Sequence, residues 1–117
     1  MNDFPSFMKN PANRIDPSSQ YTPGIEGYAF DGADGSQMAF WTYKETAISK
    51  EHEHPYDEYV LVVQGKYNLH IDKNVIPLKA GDEYVVPAKT IHSGEIFAGT
   101  RAIYAFGGKR VKRVQSI

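Results

Sequence analysis

Glu51-His52-Glu53-His54-Pro55-Tyr56-Asp57-Glu58-Tyr59-Val60-Leu61-Val62-Val63-Gln64-Gly65 is the stretch on which the fold turns. Its second half, Glu58–Val63, is apolar and β-branched and halts at Gln64-Gly65, the composition of a short strand ended by a turn. In its first half, extended backbone sends residues two apart to the same face, so His52 and His54 present their imidazoles side by side. Glu58 opens the strand and can return a carboxylate oxygen to the same point. If Glu58 faces inward, alternation carries Val60 and Val62 inward with it and gives the site a dry wall.

Working outward, more short strands appear on both sides. Tyr28–Phe30 runs into the turn Asp31-Gly32-Ala33-Asp34-Gly35, and Gln37–Tyr43 and Thr46–Ser49 follow. Downstream, Lys66–Ile71 stops at Asp72-Lys73-Asn74, Val75–Leu78 at Ala80-Gly81-Asp82, and Glu83–Val86 at Pro87. Glu95–Phe97, the turn Ala98-Gly99-Thr100 and Ala102–Phe106 complete the series. No segment has a sustained 3.6-residue period with caps. The expected fold class is therefore all-β, a jelly roll or small closed barrel, which removes exposed strand edges at this chain length.

The chain has 117 residues, 41% apolar and 13% aromatic, with eight Tyr and six Phe, enough for one packed domain. Residues 1–24 carry Pro5, Pro11, Pro17 and Pro23 and are expected to form an extended N-terminal arm; residues 25–117 form the barrel domain. Phe4, Phe7 and Met8 on that arm are apolar enough to dock on the domain or on a partner subunit. The net charge of −1 gives no general attraction for nucleic acid or an anionic membrane. The one basic cluster, Lys109, Arg110, Lys112 and Arg113, reads as a solvated strand edge or solubilising tail. No stretch approaches a membrane span or a signal peptide, so a cytoplasmic location is expected.

With no cysteine in the chain, any metal site must be built from His and carboxylates. Two neutral nitrogens and a carboxylate suit Fe, Mn, Zn, Ni or Co, and do not suit Ca or Mg. His92, just past the Gly81–Pro87 segment, is the candidate fourth ligand, delivered by a neighbouring strand. One divalent transition metal per chain is expected, held by His52, His54, Glu58 and His92, with one or two coordination positions left open. Tyr43 is a weak catalytic candidate as a proton donor or substrate anchor, with Tyr104 open to the same reading. Glu95 is the other, as an acid/base at the rim. Either face of Gln37–Tyr43 can line the pocket: Met38, Phe40 and Thr42, or Ala39, Trp41 and Tyr43. Arg101 reads as an exposed strand end, and His70 as a surface residue outside the ligand set.

These residues carry a resemblance. His52-x-His54-x3-Glu58-x6-Gly65 is similar to the first signature motif of the cupin superfamily, and Gly81-x5-Pro87-x4-His92 to the second. The short segment between the motifs, residues 66–80, looks like that of small single-domain cupins. The resemblance implies the double-stranded β-helix form of the jelly roll, a metal held by those four residues, and a small-molecule ligand or substrate. It implies metal-dependent chemistry of dioxygenase, isomerase or lyase type, or else a non-catalytic role in binding or sensing. Together with the aromatic arm it also implies a homodimer. The sequence departs from the pattern at three places. Thr46 stands where a Gly often opens the first motif, Lys89 where a Gly follows Pro87, and Ile96 where an Asn often ends the second. Thr and Lys tolerate positive φ less well than Gly, which puts the turn geometry near residues 46 and 89 in question.

Overall fold

The computed structural model describes residues 3–114; residues 1–2 of the expected arm and 115–117 of the expected barrel domain lie outside the described residues. Among the described residues nine strands form: β1 (Ile25–Asp31), β2 (Gln37–Tyr43), β3 (Ala47–Ile48), β4 (Glu58–Gln64), β5 (Lys66–Ile71), β6 (Asn74–Lys79), β7 (Glu83–Val86), β8 (His92–Ile96) and β9 (Arg101–Phe106), each overlapping an expected one, with β8 starting three residues early, at His92. They make two antiparallel sheets, one in the order β1-β2-β9-β4-β7 and the other β3-β8-β5-β6. This is a jelly roll, and its core lies between the sheets.

Period-2 alternation decides which side chains enter the core. Ala39, Trp41 and Tyr43 point inward from β2, Ala102, Tyr104 and Phe106 from β9, and Val60 and Val62 from β4. Tyr67 and Leu69 on β5, Leu78 on β6 and Ile96 on β8 close the other side. Of the two faces of β2, the set with Trp41 and Tyr43 is therefore the interior one. Ile96 fills core volume where an amide side chain would have needed hydrogen-bond partners.

The corner between β4 and β5 explains one motif glycine. Gly65 has φ +82°, and a Cβ there would lie 2.5 Å from Thr100 Oγ1 and 2.9 Å from Thr100 Cα. Only glycine fits that approach. Buried Thr100 then braces the corner, its hydroxyl donating to Lys66 O at 2.9 Å and accepting from Lys66 N at 3.2 Å.

The N-terminal residues make three single-turn 3-10 helices, Ser6–Met8, Pro11–Asn13 and Pro17–Ser19, the last two with proline in the first turn. Asn10 and Asp16 cap those two, accepting from Ala12 N and Ser18 N at 3.0 Å each. Phe4 and Met8 pack on Tyr28 at the outer face of the five-stranded sheet, while Phe7 stays exposed. Further along, Ile15 N donates to Gly27 O at 3.0 Å and Asp16 N to Lys112 O at 2.9 Å; Val114 N donates back to Arg14 O at 2.9 Å. Residues 14 and 15 thus run beside β1, with residues 112–114 on their far side, and cover a sheet edge that would otherwise be open to other strands.

That arrangement corrects two expectations. Arg113 is no solvated tail residue: it pairs with Asp31 at 3.1 Å and donates to Ala29 O at 2.9 Å. Arg101 is no exposed strand end: its guanidinium lies over the Phe4 ring, 4.6 Å from the centroid, and Nε donates to Thr42 Oγ1 at 3.3 Å. In both cases the partner is distant in sequence, Phe4 for Arg101 and the Ala29–Asp31 end of β1 for Arg113, and local sequence around the arginine gives no hint of it.

The departures from the motif pattern resolve differently. Lys89 takes φ +63°, the left-handed conformation, so the turn keeps a glycine-like path with a lysine in it. Thr46 shows no positive φ, and its hydroxyl accepts from Ala98 N at 3.0 Å. For a residue with a Cβ, the left-handed region costs about 1–2 kcal/mol. Lys89→Gly should therefore gain up to about 1 kcal/mol, after allowing for glycine's greater freedom in the unfolded chain. The gain is read as a raised urea midpoint at unchanged slope; a lowered midpoint would contradict this reading of the turn.

Candidate metal centre

Two backbone hydrogen bonds build the site. His52 N donates to His92 O at 3.0 Å and His92 N to His52 O at 2.9 Å, an exchanged pair that makes the two residues direct antiparallel neighbours. Residues opposed in this way project their side chains to one face, and the two imidazole centroids lie 4.3 Å apart. His54, two residues on in extended chain, shares that face, 5.4 Å from His52 and 5.2 Å from His92 between ring centroids. The loop before β8 is tied down beside it. Lys89 N donates to His54 O at 2.7 Å, and Ala88 N to Asp57 Oδ1 at 2.8 Å. Asp57, which flanks the cluster, thus fastens the second motif to the first.

Glu58 enters at the start of β4, opposite Phe106 on β9 and Val86 on β7. Its carboxylate faces the imidazoles, with Oε1 3.3 Å from His54 Nε2 and Oε2 3.8 Å from His92 Nε2. One ligand atom from each of the four residues lies within 4.8 Å of the others. His54, Glu58 and His92 are buried, and His52 is half-buried at the mouth.

The proton positions follow from the partners. His52 Nδ1 lies 2.7 Å from Lys50 O and His92 Nδ1 2.8 Å from Thr90 O. A carbonyl only accepts, so each Nδ1 carries a proton, and in the neutral ring the lone pair is on Nε2. Such backbone contacts orient metal-ligating histidines and fix their tautomer. Burial pushes the His52 imidazole down to about 4, against the pull of the Lys50 carbonyl, so the ring is neutral near pH 7. Neither His54 Nε2 nor His92 Nε2, both buried, has a hydrogen-bond partner among the described residues. Donors about 2.1 Å from a shared ion lie at most about 4.2 Å apart. The widest pair here would need to close by roughly half an ångström. The donor set fits a borderline transition metal, with three nitrogens and one carboxylate.

A cavity of ≈ 30 Å³ adjoins the cluster, lined by His52 and Glu58 together with Tyr43, Tyr67, Tyr104 and Arg110. That is room for a water-sized group or two. The Tyr43 and Tyr104 hydroxyls hydrogen-bond to each other in the buried interior. Burial raises both phenols, and Tyr67 as well, well above the ordinary tyrosine range. These groups keep their protons and serve as donors, not as bases.

Of the residues singled out from sequence, His52, His54, Glu58 and His92 come together, and Tyr43 lines the adjoining cavity. Glu95 stays apart. On β8 it alternates with His92, Gly94 and Ile96, and it accepts from Asn68 Nδ2 at 2.7 Å on the outer side of the four-stranded sheet. His70, on β5, faces outward with Asn68 and takes no part in the cluster. Sequence reading missed Tyr21 and Arg110. The Tyr21 ring stacks on His52 at 4.0 Å between centroids, and the Arg110 guanidinium lies 4.6 Å from the Tyr21 centroid on the far side of the cavity mouth. Arg110 therefore corrects the reading of the C-terminal basic cluster as a solvated tail. Its spacing from Gly107-Gly108 matches no motif, so only the fold reveals it.

Comparison with known proteins agrees with this architecture. A family model described as "Cupin domain" matches residues 39–105, more than half of the chain. Among solved structures, the chain is similar to an RmlC-like cupin from Shewanella frigidimarina NCIMB 400 (TM-score 0.68, 20% identity, covering 91% of this chain and 93% of that one). It is also similar to KdgF from Halomonas sp. (TM-score 0.64, 20% identity, 79% and 91%) and to the EutQ protein of Clostridium difficile (TM-score 0.62, 18% identity, 86% and 79%). At these identities the likeness establishes the fold. No curated protein matches the sequence.

A site of this composition should be stabilised by the right ion. Zn(II) or Mn(II) at one hundred times its Kd should stabilise metal-stripped protein by about 2.7 kcal/mol, seen as a raised Tm. Mg(II) at the same concentration should do little. No rise in Tm with any transition metal would rule the cluster out as a metal centre.

Proposed function

The chain belongs to the cupin family, and on that footing we propose that His52, His54, Glu58 and His92 hold one divalent transition-metal ion, one of Fe, Mn, Zn, Ni or Co. We propose further that the adjoining cavity receives a small polar molecule for metal-dependent chemistry of dioxygenase, isomerase or lyase type. The observation that carries this reading is the pair of bare, buried Nε2 atoms of His54 and His92, aimed at the Glu58 carboxylate. Buried nitrogens without partners are costly unless something occupies their lone pairs.

The ion would supply Lewis acidity, polarising an oxygen of the bound molecule or of water. The chain's own residues do the rest. Val60 and Val62 make the dry wall beside Glu58, which strengthens electrostatic contacts within. The Tyr43 and Tyr104 hydroxyls share one hydrogen bond, which leaves the pair one proton to donate to a substrate oxygen. The polar lining, which includes Ser49, Thr22 and these phenols, favours an enzyme over an apolar holding pocket. The small volume of ≈ 30 Å³ favours the second reading, a module that binds or senses a metal or a small ligand.

Residues 1–24 are an arm and residues 25–117 the barrel domain in this proposal, and two copies pair into a homodimer. Phe7 on the arm and Met38, Val63 and Val85 on the outer face of the five-stranded sheet are exposed apolar groups that pairing would cover. A cytoplasmic location belongs to the same proposal, as does the lack of a nucleic-acid or membrane partner, for which the charge of −1 supplies no general attraction. Among the described residues, no helix is long and apolar enough to cross a membrane.

Elemental analysis of purified protein should find about one transition metal per chain, and His54→Ala or Glu58→Ala should lose most of it. Full retention in both variants would refute the ligand assignment. For the pairing, sedimentation at micromolar concentration should give a dimer, and a monomer would overturn it.

A further inference from the structure

Arg110 is the one guanidinium that reaches the cavity beside the His/Glu cluster among the described residues. Its Nε is buried without a hydrogen-bond partner, and among the described residues no carboxylate lies within ion-pairing distance of it. Two aromatic rings hold it instead: Tyr21 at 4.6 Å and Phe106 at 5.9 Å from the guanidinium carbon to the ring centroids. Stacking of this kind fixes the plane of the fork and leaves its N–H edge unspent.

The backbone that carries Arg110 is itself clamped. Gln37, 2% exposed, accepts from Arg110 N at 2.7 Å and from Val111 N at 2.9 Å through Oε1. Its Nε2 donates to Asp31 Oδ1 at 3.0 Å and to Val111 O at 3.3 Å. Both lone pairs of the oxygen and one proton of the nitrogen thereby hold the segment after β9, and the other proton ties the amide to Asp31 at the end of β1. An exposed tail needs no such anchor. A residue that must stand at one point over a cavity does.

Arg110 lines the same cavity as His52, Glu58 and the Tyr43, Tyr67 and Tyr104 side chains. The lining thus offers a guanidinium at one point and the His52 and Glu58 donor atoms at another. A ligand that satisfies both carries an anionic oxygen pair for the guanidinium and a further oxygen for the cluster. Planar bidentate pairing suits a carboxylate, and an enclosed volume of ≈ 30 Å³ takes only the polar end of a short acid, the remainder lying in the open part of the cavity.

We propose that Arg110 is the anion-binding residue of this cavity, so that its ligand is a small carboxylic acid with a second oxygen function a few bonds away. This rests on the metal-centre reading for the position of the second oxygen, and not for the Arg110 contact itself.

Calorimetric titration tests it, with lactate, its uncharged analogue lactamide and inorganic phosphate as probes. Each is titrated into wild type, Arg110→Ala and Arg110→Lys, once metal-loaded and once metal-stripped. Lactate should bind wild type and lose about tenfold to a hundredfold in affinity in Arg110→Ala, the range expected for a charge-assisted hydrogen bond. Arg110→Lys should recover part of that loss. Lactamide should be indifferent to both changes, and metal content per chain should be equal in all three proteins. The Arg110 dependence should persist in metal-stripped protein, so failure to bind metal in wild type would sink the metal-centre reading without touching this one. Equal lactate affinity in wild type and Arg110→Ala would overturn the proposal. So would a wild type that ignores lactate, or one in which only phosphate responds to Arg110.

Discussion

The reciprocal backbone hydrogen bonds between His52 and His92 are the constraint from which the site follows. They join two stretches that are far apart in sequence and belong to no common hairpin. Once those bonds form, side-chain direction is settled. Opposed residues of an antiparallel pair share a face, and His54 joins them by the two-residue period of extended chain. Glu58 arrives from the first position of β4, where the inward face of that strand begins. The rest of the barrel makes this crossing possible. The Gly65 corner brings β5 back beside β8, and the left-handed turn at Lys89 lets the loop before His92 lie against His54.

A cluster of three imidazoles and a carboxylate in a hydrophobic interior is expensive if left to itself. Each buried polar atom without a partner costs roughly 1–3 kcal/mol, and the total is a large part of the stability of a domain this size. The surrounding core offsets it. Trp41, Tyr104 and Phe106 pack against one another, with Trp41 and Tyr104 centroids 4.3 Å apart. Val60, Val62 and Leu69 complete the apolar floor, each worth about 1.5–3 kcal/mol when fully buried. Core and cluster are therefore parts of one arrangement, in which the strands that carry apolar side chains to the centre also carry the ligating groups to its edge.

Much of this was legible in the amino-acid sequence because it is local or periodic. Turn residues such as Asp72-Lys73-Asn74 and Ala98-Gly99-Thr100 end strands by their own chemistry, so the nine strands could be read directly. Glu58, Val60 and Val62 were linked by alternation, and the spacing of the two histidine motifs brought His92 into the set. Choosing between the two faces of β2 needed the other sheet, because Met38-Phe40 and Trp41-Tyr43 are equally apolar. Arg101, Arg110 and Arg113 were misread for a related reason. Each is covered by a segment distant in sequence: Arg101 by Phe4, Arg110 by Tyr21, and Arg113 by the Ala29–Asp31 end of β1. Gln37 drew no notice as the first residue of a strand, yet three of its four amide hydrogen bonds hold the C-terminal segment and the fourth goes to Asp31. Long-range packing of the chain ends is the information that composition and period do not carry.

The central claim is that the four side chains form one metal centre, and anomalous diffraction at a metal absorption edge tests it most directly. Crystals grown with Mn(II) or Zn(II) should show one strong peak per chain between His52, His54, Glu58 and His92, with nitrogen and oxygen neighbours at about 2.0–2.2 Å. The absence of a peak there, or a peak confined to surface residues such as His70 or Glu95, would contradict the account.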